Sequence, residues 1–484
     1  MRSLKPLALL APLIVAACET EPVTATDATV ATDASHDAAV DVPTDYTRPP
    51  DVARTMTEAE LAPQRQRCAF RAGAWPAETI GRDAPVGEAI PIDHVLVVMM
   101  ENRSFDHYFG QLRARGVADV EAPPEGWSNA HADGTPVLRH HETSPCNRDT
   151  NHEWEGSFHQ WNNGRNDGFV TTNDPGGERA MGYFDESDIP FYYGLARTFA
   201  IGDRYFASVM GPTWPNRYYL LAATSFGFTY NAPYDGDTPD HPAMHLMRRL
   251  DEAGYDWRDY AGDLRLTGLF PYYGIVRSET RAHYRSHADL MADLASGDLP
   301  AFSFIEPHYQ GNGGVREDEH PPGTPQMGER FVERIVRALM ASPAWSRSAL
   351  FLTYDEHGGF ADHVPPPEAC APDDHAPFDS TFTPVRDGSF RRYGFRVPFV
   401  VVSPYARRGY VSHTVYDHTS IVRFIEARFG LAAMTGRDAN AAVPTDMFDF
   451  EHPPFMTPPT LPAGGYNADA QARCATMFPS SSGL

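Results

Sequence analysis

Ile92-Asp93-His94-Val95-Leu96-Val97-Val98-Met99-Met100-Glu101-Asn102-Arg103-Ser104 is the stretch on which the fold turns. From Val95 to Met100 it is apolar without alternation, and it ends abruptly in polar residues. A short continuous apolar run rich in valine reads as a strand covered on both faces, as in a parallel sheet. Ala301 to Ile305, Ala349 to Tyr354 and Val397 to Val402 have the same character. Helical patterns separate them. Gly328 to Met340 sets Phe331, Ile335 and Leu339 four apart on one face, and Thr419 to Phe429 does the same with Ile421, Phe424, Ile425 and Phe429. His245 to Ala253 runs into Gly254, a suitable C-terminal cap. Strands alternating with helices predict an α/β fold with a central, mostly parallel sheet flanked by helices. In such sheets ligands bind beyond the carboxyl ends of the strands.

The residues just past those ends are therefore the first candidates for chemistry. Glu101 and Asn102 follow the first strand; Asp355 and Glu356 follow a later one. Oxygen ligands gathered at one sheet edge repel one another unless a cation lies between them. Taken singly, each pair could equally cap a helix or form surface ion pairs. A third segment, Gly211-Pro212-Thr213-Trp214-Pro215-Asn216-Arg217, leads into a helical pattern, with Pro215 suited to the first helical position. Thr213 then lies at a helix N-terminus, where backbone N–H groups and the dipole favour an anion. Read alone, Thr213 is an ordinary N-cap.

Composition removes several classes of function. The 484 residues carry 64 acids against 40 bases, a formal charge of −24. Of the bases 39 are Arg, and the one lysine is Lys5. Once the N-terminal segment is removed, the chain has no ammonium side chain for a Schiff base, a pyridoxal site, a P-loop or a kinase-type clamp. The acidic balance also speaks against sequence-independent nucleic-acid binding.

Residues 1–17 place Arg2 and Lys5 before an apolar run ending in small residues, the layout of a secretory signal too short to span a membrane. Leu13 to Cys18 resembles a bacterial lipobox, so Cys18 is the expected lipidation site and the protein is expected to be exported and held at the cell envelope. Residues 18–51, rich in Thr, Ala, Asp and Pro, read as a disordered acidic linker. Residues 52–484 are read as one folded domain with a surface-hugging tail over 438–484. Cys68, Cys146, Cys370 and Cys474 allow two disulfides in three pairings. Residues 113–200 and 255–290, full of Trp, Tyr, Asn and Gly, show little periodicity.

Four motifs, two of them already quoted in part or whole, make a resemblance visible. His94 to Gly110 (HVLVVMMENRSFDHYFG), Gly211 to Arg217 (GPTWPNR), Asp318 to Pro322 (DEHPP) and Thr353 to Pro367 (TYDEHGGFADHVPPP) resemble the bacterial phosphoesterase family. So do Asp149 to His152 and Trp161 to Phe169. That family holds phospholipases C and respiratory-burst-inhibiting acid phosphatases, within the alkaline phosphatase superfamily. The match covers about residues 90–430. It implies an alkaline-phosphatase-like fold, with Glu101, Asn102, Asp355 and Glu356 as metal ligands. It implies that Thr213 is the nucleophile and a further ligand, with His152 and His320 around the phosphate, one protonating the leaving oxygen. His357, His363 and His418 are weaker candidates. Asp362 and His363 fall where superfamily members bind a second metal; here one metal is expected and a structural role is assigned to them. An all-oxygen set suits Ca²⁺ first, with Mg²⁺ or Mn²⁺ as alternatives.

The implied activity is phospholipase C action on phosphatidylcholine-like diesters, with a phosphomonoester phosphatase as the alternative and a non-catalytic surface binding protein as a remote one. Oligomeric state is left open. Aromatic residues in Phe184 to Phe199, Tyr230 to Tyr234 and Phe270 to Tyr273 are offered as pocket lining by cation–π contact, with core packing the plainer reading for most of them.

Overall fold

Eight strands make the central sheet of the computed structural model: β1 (His94–Met100), β2 (Ala200–Gly202), β3 (Trp257–Ala261), β4 (Tyr284–Arg285), β5 (Phe302–Glu306), β6 (Ser348–Tyr354), β7 (Phe399–Val402) and β8 (Val411–Ser412). Their spatial order is β8-β2-β7-β6-β1-β5-β3-β4. All neighbours are parallel except at β7, which runs antiparallel to β6 and to β2. The structure describes residues 53–478 apart from 235, 237–243, 266, 268–277, 310–315, 382 and 386–389. The signal segment, Cys18, the acidic linker and the aromatic cluster at 270–273 lie outside the described residues.

β1, the strand expected from the opening run, is central, with every residue from Val95 to Met100 buried. Burial on both faces explains its unbroken apolar sequence. The expected strand over 397–402 begins two residues later, because the Val397 amide donates to the Tyr205 carbonyl before the ladder starts. Its antiparallel direction was invisible in composition, since a doubly covered strand reads alike in either sense.

The sheet is flanked by helices, among them α1 (Phe105–Phe109), α2 (Trp154–Trp161), α3 (Pro190–Thr198), α4 (Thr213–Ala222), α5 (Leu246–Glu252), α6 (His287–Ser296), α7 (Pro325–Ala341) and α8 (His418–Phe429). α7 buries Phe331, Ile335 and Leu339, the face read from spacing. α8 is buried on every side, and its internal Arg423–Glu426 pair, 2.8 Å apart, lets two charges enter the core together. Gly254, just past α5, has φ +78°, a conformation that a side chain resists.

The irregular stretch 113–200 contains α2 and α3. The first half of the expected surface tail is instead part of the interior. Met447, Phe448 and Phe455 are buried, and the Trp345 indole donates to the Phe455 carbonyl at 2.9 Å. Its prolines suggested an exposed run, yet the intervening apolar residues fill the sheet edge. The disulfides pair Cys68 with Cys370 and Cys146 with Cys474, a choice spacing had left open.

Candidate active site

β1 and β6 are adjacent and parallel, with Met100 opposite Tyr354, so Glu101-Asn102 and Asp355-Glu356 leave the sheet side by side. All four are buried. The Asn102 amide donates to Asp355 Oδ1 at 3.2 Å, and Asn102 adopts φ +62°, a turn that asparagine tolerates. Gly358 approaches so closely that a Cβ there would lie 2.3 Å from the Asn102 carbonyl oxygen. The two strand ends are thus locked to each other.

α4 supplies the third part. It begins at Thr213 with Pro212 as N-cap, which puts Pro215 in the first turn but not at the first helical position as expected. Asn216 braces the preceding turn: its Oδ1 accepts from the Val209 amide and its Nδ2 donates to the Gly211 carbonyl, both at 3.0 Å. Thr213 and Arg217 are four residues apart and share a helix face. The Arg217 guanidinium reaches Asp355 Oδ2 at 3.1 Å, Glu101 Oε1 at 3.4 Å and Glu306 Oε2 at 3.9 Å. Sequence reading saw Arg217 inside a motif but gave it no role, because its partners stand 138, 116 and 89 positions away (355 − 217, 217 − 101 and 306 − 217).

The charge balance of this interior is uneven. Glu101, Asp355 and Glu306 bring three carboxylates to one buried guanidinium, and Glu356, also buried, adds a fourth that Arg217 does not reach. Burial pushes the carboxyl of Glu101 up, that of Asp355 to about 7 and that of Glu356 well above its ordinary value, against the pull of Arg217 or His152. Asn102 Oδ1 and Glu356 Oε1 are buried with no hydrogen-bond partner. Unpaired acceptors beside raised carboxylates are what a divalent cation, bound among them, would satisfy.

His152 and His320 meet beside this group. Their ring centroids are 5.5 Å apart, and Asn102 Nδ2 lies 3.3 Å from His152 Nε2. Asp149 stands between them, 3.7 Å from His152 Nδ1 and 3.9 Å from His320 Nε2. Burial alone would lower the His152 imidazole, but Glu356 and Asp149 raise it to about 9; burial takes His320 down to about 4.

The weaker histidines serve the frame. His418 donates through Nε2 to the Asp355 carbonyl at 2.7 Å, and His357 meets Gln160 Oε1 at 2.7 Å. Asp106, Asp362 and His363 do cluster, but around Arg396, whose guanidinium is 2.8 Å from Asp106 and 2.9 Å from Asp362. A cation of the chain's own fills that position. Phe184, Phe191, Tyr192, Tyr193 and Phe199 are core residues, the plainer of the two readings. Trp154, itself buried, with Phe158 and Trp161 of α2 lines a cleft of about 890 Å³. Trp154 also packs beneath Gly211, next to the turn that presents Thr213.

Glu319 was missed as well. It is wholly buried and accepts from the phenols of Tyr108, Tyr192 and Tyr354 at 2.5, 2.6 and 2.9 Å. Burial raises its carboxyl to about 7. A raised folded value costs nothing below the unfolded value near 4.5 and costs most above 7, so this residue lowers stability as pH rises between them. Glu319→Gln is expected to flatten the fall in urea midpoint between pH 5 and 8; an unchanged slope would remove Glu319 as its source.

The comparisons with known proteins agree with this geometry. The model of the Phosphoesterase family matches residues 92–432, so the chain belongs to that family and is a phosphoric ester hydrolase. It is 32% identical to Phospholipase C B of Mycobacterium tuberculosis over 79% of this chain and 82% of that protein. It is 32% identical to the Hemolytic phospholipase C of Pseudomonas aeruginosa over 82% of this chain and 62% of the relative. Non-specific phospholipase C1 of Arabidopsis thaliana is 31% identical over 72% and 69%. Among solved structures, a protein in the alkaline phosphatase superfamily from Vibrio parahaemolyticus aligns with TM-score 0.34 and 11% identity over 69% of this chain and 78% of its own. That likeness is too remote to add to the family match.

Proposed function

We propose that the protein is a divalent-metal-dependent phosphodiesterase of the phospholipase C type with Thr213 as nucleophile, residues 52–484 forming its single catalytic domain. The buried, unpartnered oxygens of Asn102 and Glu356 amid an excess of carboxylate carry this reading. Glu101, Asn102, Thr213, Asp355 and Glu356 would hold one cation, Ca²⁺ by the hardness of the donors. The guanidinium of Arg396 between Asp106 and Asp362 supports one ion rather than two. Bound, the cation supplies Lewis acidity that lowers the hydroxyl pKa and neutralises phosphate charge.

The chain's own residues perform the rest. Thr213 Oγ1, its hydroxyl proton lost beforehand to solvent, attacks phosphorus as the alkoxide and leaves as the alkoxide in the second step: the O–P bond forms as the P–O bond to the alcohol breaks, and one of His152 and His320 gives the alcohol its proton. Water then attacks phosphorus, the Thr213 O–P bond breaks, and the water proton restores that histidine. The α4 N-terminus and the buried Arg217 hold the threonine and the carboxylates in register.

The aromatic cleft along α2 suits the organic part of a diester, including a quaternary ammonium head group. Assay of the full chain with p-nitrophenylphosphorylcholine and p-nitrophenyl phosphate separates the readings: the diester should be turned over faster. Preference for the monoester would make the protein a phosphatase, and turnover of neither would leave a binding protein.

Among the described residues no helix is long and apolar enough to cross a membrane. Envelope attachment is assigned to lipidation at Cys18. Cys18→Ser should shift the protein from the membrane fraction to the soluble exported fraction; unchanged partition would exclude that anchor.

A further inference from the structure

A second group of ligating side chains stands at the end of β5, apart from the five residues assigned above. His287, the first residue of α6, His308 and Glu317 each offer one ligand atom within 4.8 Å of the other two. His287 Nε2 lies 2.7 Å from the Glu306 carbonyl, so Nε2 carries the proton and the lone pair is on Nδ1. That Nδ1 is buried with no hydrogen-bond partner, and so are His308 Nδ1 and Glu317 Oε2.

His308 Nδ1 faces Asp263 Oδ2 at 3.9 Å, so the orphaned atoms that belong to the cluster are His287 Nδ1 and Glu317 Oε2; they need an explanation, since buried polar groups are almost always paired. Glu317 is only 8% exposed. Its other oxygen accepts from Arg334 Nη2 at 3.2 Å, while Oε2 turns toward His308 Nε2 at 3.9 Å. The two imidazoles cross edge to face with centroids 4.8 Å apart. Ligand atoms around a tetrahedral zinc stand about 3.4 Å apart, from metal–ligand lengths of about 2.0–2.2 Å. A small inward movement of these side chains would therefore close the set.

The surroundings match those of metal-bound histidines. A ligating imidazole commonly donates its other N–H to a backbone carbonyl, as His287 does to Glu306. The Arg334 contact likewise fixes one carboxylate oxygen and frees the other.

We propose that His287, His308 and Glu317 form a zinc site separate from the oxygen-lined active site. Two nitrogens and one carboxylate favour a borderline ion over calcium or magnesium, with a water in the fourth position. The site joins the start of α6 to the segment that continues from Glu317 into Asp318, Glu319 and His320. The Asp318 carbonyl accepts from the Glu101 amide at 3.0 Å, so zinc here would brace the segment carrying His320 against the end of β1 without touching substrate.

The test is zinc stoichiometry by elemental analysis of the full chain, chelated, reloaded with zinc and gel-filtered. Wild type should retain one zinc per chain more than His308→Ala or Glu317→Gln, and Asp355→Asn should keep that additional zinc. The melting temperature should rise with zinc in Asp355→Asn and not in Asp355→Asn/Glu317→Gln, circular dichroism confirming that both are folded. Equal zinc content in wild type and Glu317→Gln would overturn the site, as would loss of all zinc from Asp355→Asn. The outcome is independent of turnover, so failure of the phosphodiesterase reading leaves it standing.

Discussion

Thr213→Ala is expected to lower kcat for p-nitrophenylphosphorylcholine by at least about 10³-fold, with the fold and melting temperature nearly unchanged. The magnitude follows from what the hydroxyl is asked to do. Removing a covalent nucleophile abolishes the two-step path and leaves only binding and electrostatic stabilisation, whose residual effect over water is about 10³–10⁴ in well-studied hydrolases. The small structural effect follows from the site: the N-cap of the helix is Pro212 and not Thr213, and Asn216 holds the preceding turn from elsewhere. A rate near that of wild type would remove Thr213 as nucleophile. A sharp loss of melting temperature would show instead that the residue is structural.

Arg217→Met is expected to be the most destabilising single change in the site, by about 3–5 kcal/mol, the cost of removing one partner from a buried ion pair. The guanidinium is wholly buried among Asp355, Glu101 and Glu306, and methionine fills much of its volume while supplying no charge. Because Arg217 shares a helix face with Thr213, activity should fall with stability. The check is the urea midpoint with and without divalent ion. Full stability in Arg217→Met would mean that the carboxylates are neutral or paired by other means.

The parts of this architecture legible in sequence were those written locally. The β1 and β6 strands could be read because doubly buried parallel strands are unbroken apolar runs, and their ends because a carboxylate beside an amide or a second carboxylate interrupts such a run abruptly. The phase of α7 could be read because one face is wet. What could not be read depends on distant partners. Nothing local to Arg217 shows that it faces three carboxylates, and nothing near Glu319 announces three tyrosine phenols. Arg396 fills the Asp106–Asp362 position from 34 residues beyond Asp362. The long aromatic stretches hid α2 and α3 because their side chains are buried from several directions and leave no period to detect. Prolines in 438–484 suggested a surface path, whereas tertiary packing against the sheet decided it.

The early count of one lysine and 24 excess negative charges gains a physical meaning at the strand ends. The interior concentrates carboxylates beyond what Arg217 can neutralise, and the proposed mechanism assigns that deficit to a divalent ion. The most direct measurement is turnover of p-nitrophenylphosphorylcholine by the full chain before chelation, after chelation and gel filtration, and after return of Ca²⁺, Mg²⁺ or Mn²⁺. The account predicts loss of at least about 10²-fold on chelation, several kcal/mol of lost charge stabilisation, and recovery with one of these ions, Ca²⁺ foremost. Turnover that survives complete removal of divalent ions would contradict it.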